Sequence, residues 1–174
     1  MAASTLLLLR HGIAEERRAG LEDGDRALTE RGRSRTRAVL ERLVALGLMA
    51  DRLLCSPLLR ARQTAEIAVT AGWAPDLTLA SELAPGGAAL ACLPEWCQAC
   101  GGDSLALVGH EPDLSALAAF LIGAPAGHLD LRKAGLIQLR LSEAAARGQA
   151  VAGGQPAAGG AVLVSLLRPG LLLG

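Results

Sequence analysis

The stretch that most constrains this chain is Leu6-Leu7-Leu8-Leu9, followed at once by Arg10, His11 and Gly12. Four consecutive apolar residues are too few for a helix and read as a buried strand of a parallel sheet. In open α/β sheets, ligands bind beyond the carboxyl ends of the strands, where Arg10 and His11 fall. Arginine offers a fixed fork of donors suited to phosphate or carboxylate. A neutral histidine beside it is a nucleophile or a proton carrier. Gly12 lets the backbone turn so that both side chains face one pocket.

The pattern recurs. Ser104 to Gly109 reads as a second buried strand that ends on His110-Glu111-Pro112, and Pro112 opens an apolar helix to about Ile122. Two histidines at the same end of two strands are a much stronger signal than one. His128 lies in a Gly/Pro-rich loop and is read as incidental. Between the histidines, Leu53-Leu54-Cys55 forms a short strand. Ser56 and Pro57 are predicted as the N-cap and first residue of the next helix. Arg60 then lies near the positive end of that helix, where an anion is favoured.

Residues 13–28 are dense in charge and read as a solvated loop over the strand end, placed to help recognise a substrate. Thr29 is predicted to cap a helix whose apolar face is Val39, Leu40, Leu43, Val44 and Leu46, with Gly47 ending it. Arg31, Arg33, Arg35 and Arg37 step around that helix without forming one stripe, which argues against a nucleic-acid footprint. An edge strand is expected at 77–80. It leads into a loop where Glu82 is a candidate general acid. A weak helix over 88–99 is expected to be broken or bent at Pro94.

Leu136 to Leu141 and Ala161 to Leu167 read as two late strands with no helix of substance between them. Residues 144–160, rich in Ala and Gly, are expected to be a flexible loop. The order predicts one α/β domain over residues 1–174. It has three layers: a mainly parallel sheet with an antiparallel edge, and helices on both faces. Charge balances at 17 basic and 17 acidic residues, and a single Phe with no Tyr leaves little to stack on bases. No membrane or nucleic-acid partner is expected. No apolar run approaches the roughly 18 residues of a membrane span. A cytoplasmic location follows as the expectation, with the four cysteines as reduced thiols and no metal site.

Taken together, these residues resemble the histidine phosphatase superfamily, and within it the SixA-type phosphohistidine phosphatases. Leu9-Arg10-His11-Gly12 resembles the nucleophile motif, and Leu28-Thr29-x-x-Gly32 the entry to the first helix. Ser56-Pro57-Leu58-Leu59-Arg60-Ala61-x-Gln63-Thr64 is similar to the second phosphate-binding arginine motif and is the most specific segment. Glu82-Leu83-x-Pro85-x-Gly87 is similar to the SixA-type acidic loop, and Val108-Gly109-His110-x-Pro112 to the second-histidine motif. Glu111 departs from the apolar residue expected there.

The resemblance implies a phosphatase without metal or organic cofactor. His11 would take the phosphoryl group, and Arg10, Arg60 and His110 would bind it. His11 is expected to be neutral, its non-attacking nitrogen held by a backbone carbonyl, while His110 is expected to be protonated. Only 49 residues separate Arg60 from His110, too few for a large capping insertion. An open pocket that admits a phosphohistidine on another protein, such as a phosphotransfer domain, is therefore expected. The alternatives are a phosphomonoesterase acting on a small phosphorylated metabolite, and an inactive phosphate-binding module.

Overall fold

The computed structural model describes residues 2–148, 150–151, 155–156 and 158–174. The leucine run becomes β1 (Thr5–Arg10), with both faces buried. It is followed by α1 (Glu30–Ala45), β2 (Arg52–Cys55), α2 (Leu59–Thr70), β3 (Thr78–Leu79) and α3 (Ala89–Gln98). Then come β4 (Ser104–Gly109), α4 (Asp113–Ile122), β5 (Leu136–Leu141) and α5 (Glu143–Ala146). A short antiparallel pair, β6 (Ala150–Val151) and β7 (Gln155–Pro156), precedes β8 (Ala161–Leu167) and α6 (Pro169–Leu173). The flexible-loop expectation for 144–160 falls partly on residues 149, 152–154 and 157, which lie outside the described residues.

The main sheet runs in the order β3-β2-β4-β1-β5-β8. β1 pairs in parallel with β4 and antiparallel with β5, and β8 continues the antiparallel edge. This is the expected mainly parallel sheet with an antiparallel side. Because side chains alternate along a strand, Leu6 and Leu8 pack on one face with α3 and α4, through Leu93, Leu114 and Leu117. Leu7 and Leu9 pack on the other with α1 and α2, through Leu40, Leu43, Ala61 and Ala65. Three layers result. Among the described residues, no helix is long and apolar enough to cross a membrane.

Two local expectations change. α2 begins at Leu59 with Leu58 as its N-cap, so Ser56 is not the N-cap, although its Oγ accepts from the Leu58 N–H at 3.3 Å. α3 is not broken, since it runs through Pro94, which only withholds one N–H from the helical ladder. Thr29, by contrast, caps α1 as expected, its Oγ1 accepting from the Gly32 N–H at 3.0 Å.

β1 and β4 are adjacent and parallel, with Arg10 beside Gly109 in register. The residues just past both strands, His11 and His110, are therefore neighbours by construction. That placement creates the site.

Candidate active site

The imidazole rings of His11 and His110 lie 5.1 Å apart, centroid to centroid, and both are buried. Arg10 and Arg60 join them in lining one cavity of about 340 Å3, whose wall also includes Arg17, Asp23, Pro85, Glu111 and Lys133. Arg10, His11, Arg60 and His110, predicted from strand ends and a helix start, are thus brought together.

Each is held by its own framework. The His11 N–H donates to the Gly109 carbonyl at 3.1 Å, tying the end of β1 to that of β4. His11 Nδ1 lies 2.7 Å from the Gly12 carbonyl. A carbonyl only accepts, so Nδ1 carries the proton and Nε2 keeps its lone pair. The Arg10 guanidinium donates to the Leu131 carbonyl at 2.8 Å. The loop that supplies this carbonyl is folded back by Ala134, whose N–H reaches both the Arg10 and His11 carbonyls.

The arginine motif on α2 acts as a brace for the whole site. Ser56 Oγ shares a 2.7 Å hydrogen bond with His110 Nε2. Gln63 accepts from the Leu28 N–H at 2.7 Å, and Thr64 Oγ1 accepts from the Gly12 N–H at 3.0 Å while donating to the Arg60 carbonyl. One short segment thereby fixes the second histidine, the charged loop and the turn after the first histidine. Gly12 is required there, because a Cβ would stand 2.2 Å from Thr36 Oγ1.

Electrostatics set the charge states. Burial is the main cause that lowers the His11 pKa to about 3. The nearby His110, Arg60 and Arg10 add to the effect against the Gly12 carbonyl. Burial and Arg60 lower His110 to about 4. Both rings are therefore neutral at pH 7 in the free site. The expectation of a protonated His110 is not met in this arrangement, because burial beside Arg60 disfavours a second cation. Among the described residues, His110 Nδ1 is buried without a hydrogen-bond partner, as is Arg60 Nε.

The nucleophile, first-helix and arginine motifs lie inside the match to the model of the histidine phosphatase superfamily (branch 1), which spans residues 6–83 and ends within the acidic loop. The chain belongs to the histidine phosphatase superfamily. An uncharacterized protein of Picosynechococcus is 49% identical over 139 residues, which cover 78% of this chain and 84% of that one. Among solved structures, the protein histidine phosphatase SixA complexed with tungstate matches with a TM-score of 0.78 at 23% identity. That match covers 97% of this chain and 99% of the other. The alpha-ribazole phosphatase of Shigella flexneri matches at a TM-score of 0.62 and 21% identity, over 95% and 96% of the two chains. The fold is that of SixA-type members.

Several residues of this histidine phosphatase site were not legible beforehand. Asp23, in the loop read as solvated, accepts from both Arg60 Nη1, through its carbonyl at 2.5 Å, and Arg60 Nη2, through its carboxylate at 2.9 Å. It also pairs with Arg17 and Arg26 at 2.9 and 3.0 Å. Partial burial acts to raise the Asp23 carboxyl. The Arg17 and Arg60 hydrogen bonds outweigh it, with the charges of Arg60 and Arg26, and the pKa falls to about 2. Ser56 carried only a capping signal in the sequence.

Glu82 is not among the residues that line the cavity. It lies half-buried in a 3-10 turn (Ser81–Leu83), near enough to Cys92 to push that thiol up, after burial. Its loop presents Pro85 to the cavity instead. Glu111 does line it, with Oε1 accepting from the Ser115 N–H at 3.1 Å at the start of α4. His128 is exposed, away from the site. Cys97 and Cys100 are buried; burial pushes the Cys97 thiol up to about 12.

Proposed function

We propose that this phosphatase hydrolyses the P–N bond of phosphohistidine on another protein, with His11 as the covalent nucleophile. The Nε2 lone pair of His11 attacks phosphorus as the bond to the substrate imidazole breaks. Water then attacks phospho-His11, releasing inorganic phosphate and restoring the neutral ring. Phosphoryl transfer needs mainly positioning and cations around the equatorial oxygens. Arg10 and Arg60 supply two. His110 offers Nδ1, its unpartnered nitrogen, and takes up a proton as the bound dianion reverses the field that keeps it neutral.

The observation that carries the substrate class is the state of the carboxylates at the cavity. Ester cleavage expels an alkoxide and profits from a general acid worth about 10²–10⁴ in rate. Asp23 is held ionised by three arginines, Glu111 has an oxygen committed to a helix N-terminus, and the acidic loop turns Pro85 to the site. A phosphohistidine that carries a proton on its other ring nitrogen leaves as neutral imidazole, with that proton retained, and needs no such donor.

The test is kcat/KM on a phosphohistidine peptide against an alkyl phosphate of similar charge. We expect the peptide to be preferred by about 10²-fold or more, the contribution of the missing acid. Equal or faster cleavage of the alkyl ester points to a metabolite phosphatase and overturns the reading.

A further inference from the structure

A second, larger cavity of about 540 Å3 opens next to the catalytic one and shares Arg10 and Lys133 with it. Arg31, Arg35, Arg132 and Arg168 complete a lining that has six cations and no carboxylate. In a chain whose charges balance, that concentration is a marked local departure. It is assembled from three places. Arg31 and Arg35 are one turn apart on α1 and share a face. Arg132 and Lys133 ride the loop that folds back over Arg10, and Arg168 precedes α6. Asp130 partly offsets the outer rim, pairing with Arg132 at 2.9 Å and Arg168 at 3.4 Å. Among the described residues, Arg31, Arg35 and Lys133 have no ion-pair partner.

We infer that this groove docks an acidic segment flanking the phosphohistidine of the protein substrate, an inference that rests on the substrate class proposed above. A phosphoryl group seated at His11 touches Arg10, and the polypeptide leading away from it meets the shared Arg10–Lys133 wall. The cations favour a protein segment over a small anion. Side chains of Arg132 and Arg168 are 63% and 49% exposed and stand around a wide space. Such exposed, hydrated charges grip a single ion weakly, but summed along a groove they steer and orient an extended acidic surface. Arg31 and Arg35 act here as specificity determinants and take no part in the chemistry.

The experiment measures binding of two labelled peptides without phosphate, one aspartate-rich and one with asparagine in place of each aspartate. Wild type is compared with the Arg31→Gln/Arg35→Gln double variant. The aspartate peptide is expected to bind wild type about tenfold tighter at low salt, and the gap is expected to close at about 0.5 M salt, where the Debye length shrinks to a few ångströms. The double variant is expected to lose most of the gap while hydrolysing an aryl phosphate as wild type does, which also certifies its fold. Equal binding of the two peptides, or a preference that survives in the variant, overturns the inference. So does an Arg31- and Arg35-dependent affinity for inorganic pyrophosphate without peptide discrimination, which reassigns the groove to small anions. Because these peptides carry no phosphate, the result stands apart from whether phosphohistidine is turned over.

Discussion

Gly32→Ala reverses an ordinary rule. In a helix interior, replacing Gly with Ala favours folding by about 1 kcal/mol. Gly32 is the third residue of α1, but a Cβ there would lie 1.9 Å from the Ile13 carbonyl oxygen and 2.9 Å from its carbon. The gap must open to at least 3.0 Å, a shift of about 1 Å. The oxygen cannot swing away freely, since it accepts the Thr29 N–H at 3.0 Å and the Thr29 hydroxyl at 3.3 Å. Overpacking of this kind costs about 1–3 kcal/mol, and weakening one of those bonds costs about 1 more. Net of helix propensity, the variant should be about 2 kcal/mol less stable. For a chain of this size that lowers Tm by roughly 4–8 °C. Ile13 follows His11-Gly12 directly, so a shift of about 1 Å also misplaces His11, the proposed nucleophile, and should reduce kcat about 10²-fold. Calorimetry and steady-state kinetics on an aryl phosphate check both effects. A variant with unchanged or raised Tm and wild-type kcat would refute the claim that α1 and the nucleophile turn are pressed together at this glycine.

Ser56→Ala leaves His110 Nε2 without its partner and should cost about 1–2 kcal/mol in urea unfolding, with kcat/KM falling about tenfold, the equivalent of 1.4 kcal/mol. Asp23→Asn releases Arg60 from a competing carboxylate on the solvent side, so inorganic phosphate should inhibit about two- to fivefold more tightly in a competition assay, at the low end for a pair that is only partly buried. His11 and His110 titrate at about 3 and 4 when folded but near 6.5 when unfolded. The unfolded chain thus binds more protons between those values, and stability is full above pH 6.5 and declines as pH falls toward 4. Each histidine contributes a slope of about 1.4 kcal/mol per pH unit there, so His11→Asn should flatten the decline of wild-type stability between pH 6 and pH 4 by about that amount.

The features legible in the sequence were those encoded locally. A leucine run ending in Arg10-His11 and a second strand ending in His110 placed two histidines at strand ends. The parallel β1–β4 pairing then made them neighbours. The start of α2 placed Arg60. What stayed hidden depends on distant backbone meeting a side chain. Asp23 meets Arg60 across 37 residues, and the same charges in a loop would look no different if fully solvated. Ser56 looked like a cap because a serine before a proline usually is one; its partner His110 lies 54 residues away. The neutral charge of His110 follows from burial beside Arg60, which no spacing rule reports. Arg31 and Arg35 seemed scattered around α1, and only the meeting of α1 with the 131–135 loop and Arg168 gives them a common target.

In the proposed reaction His11 carries the phosphoryl group between substrate and water. Rapid-quench labelling of wild type and His11→Ala with a phosphohistidine donor bearing radioactive phosphate tests it most directly. Wild type is expected to carry an acid-labile, base-stable label that is chased to free phosphate during turnover, and the variant none. Undiminished phosphate release by a folded His11→Ala protein, or turnover by wild type with no labelled intermediate at any quench time, would contradict it.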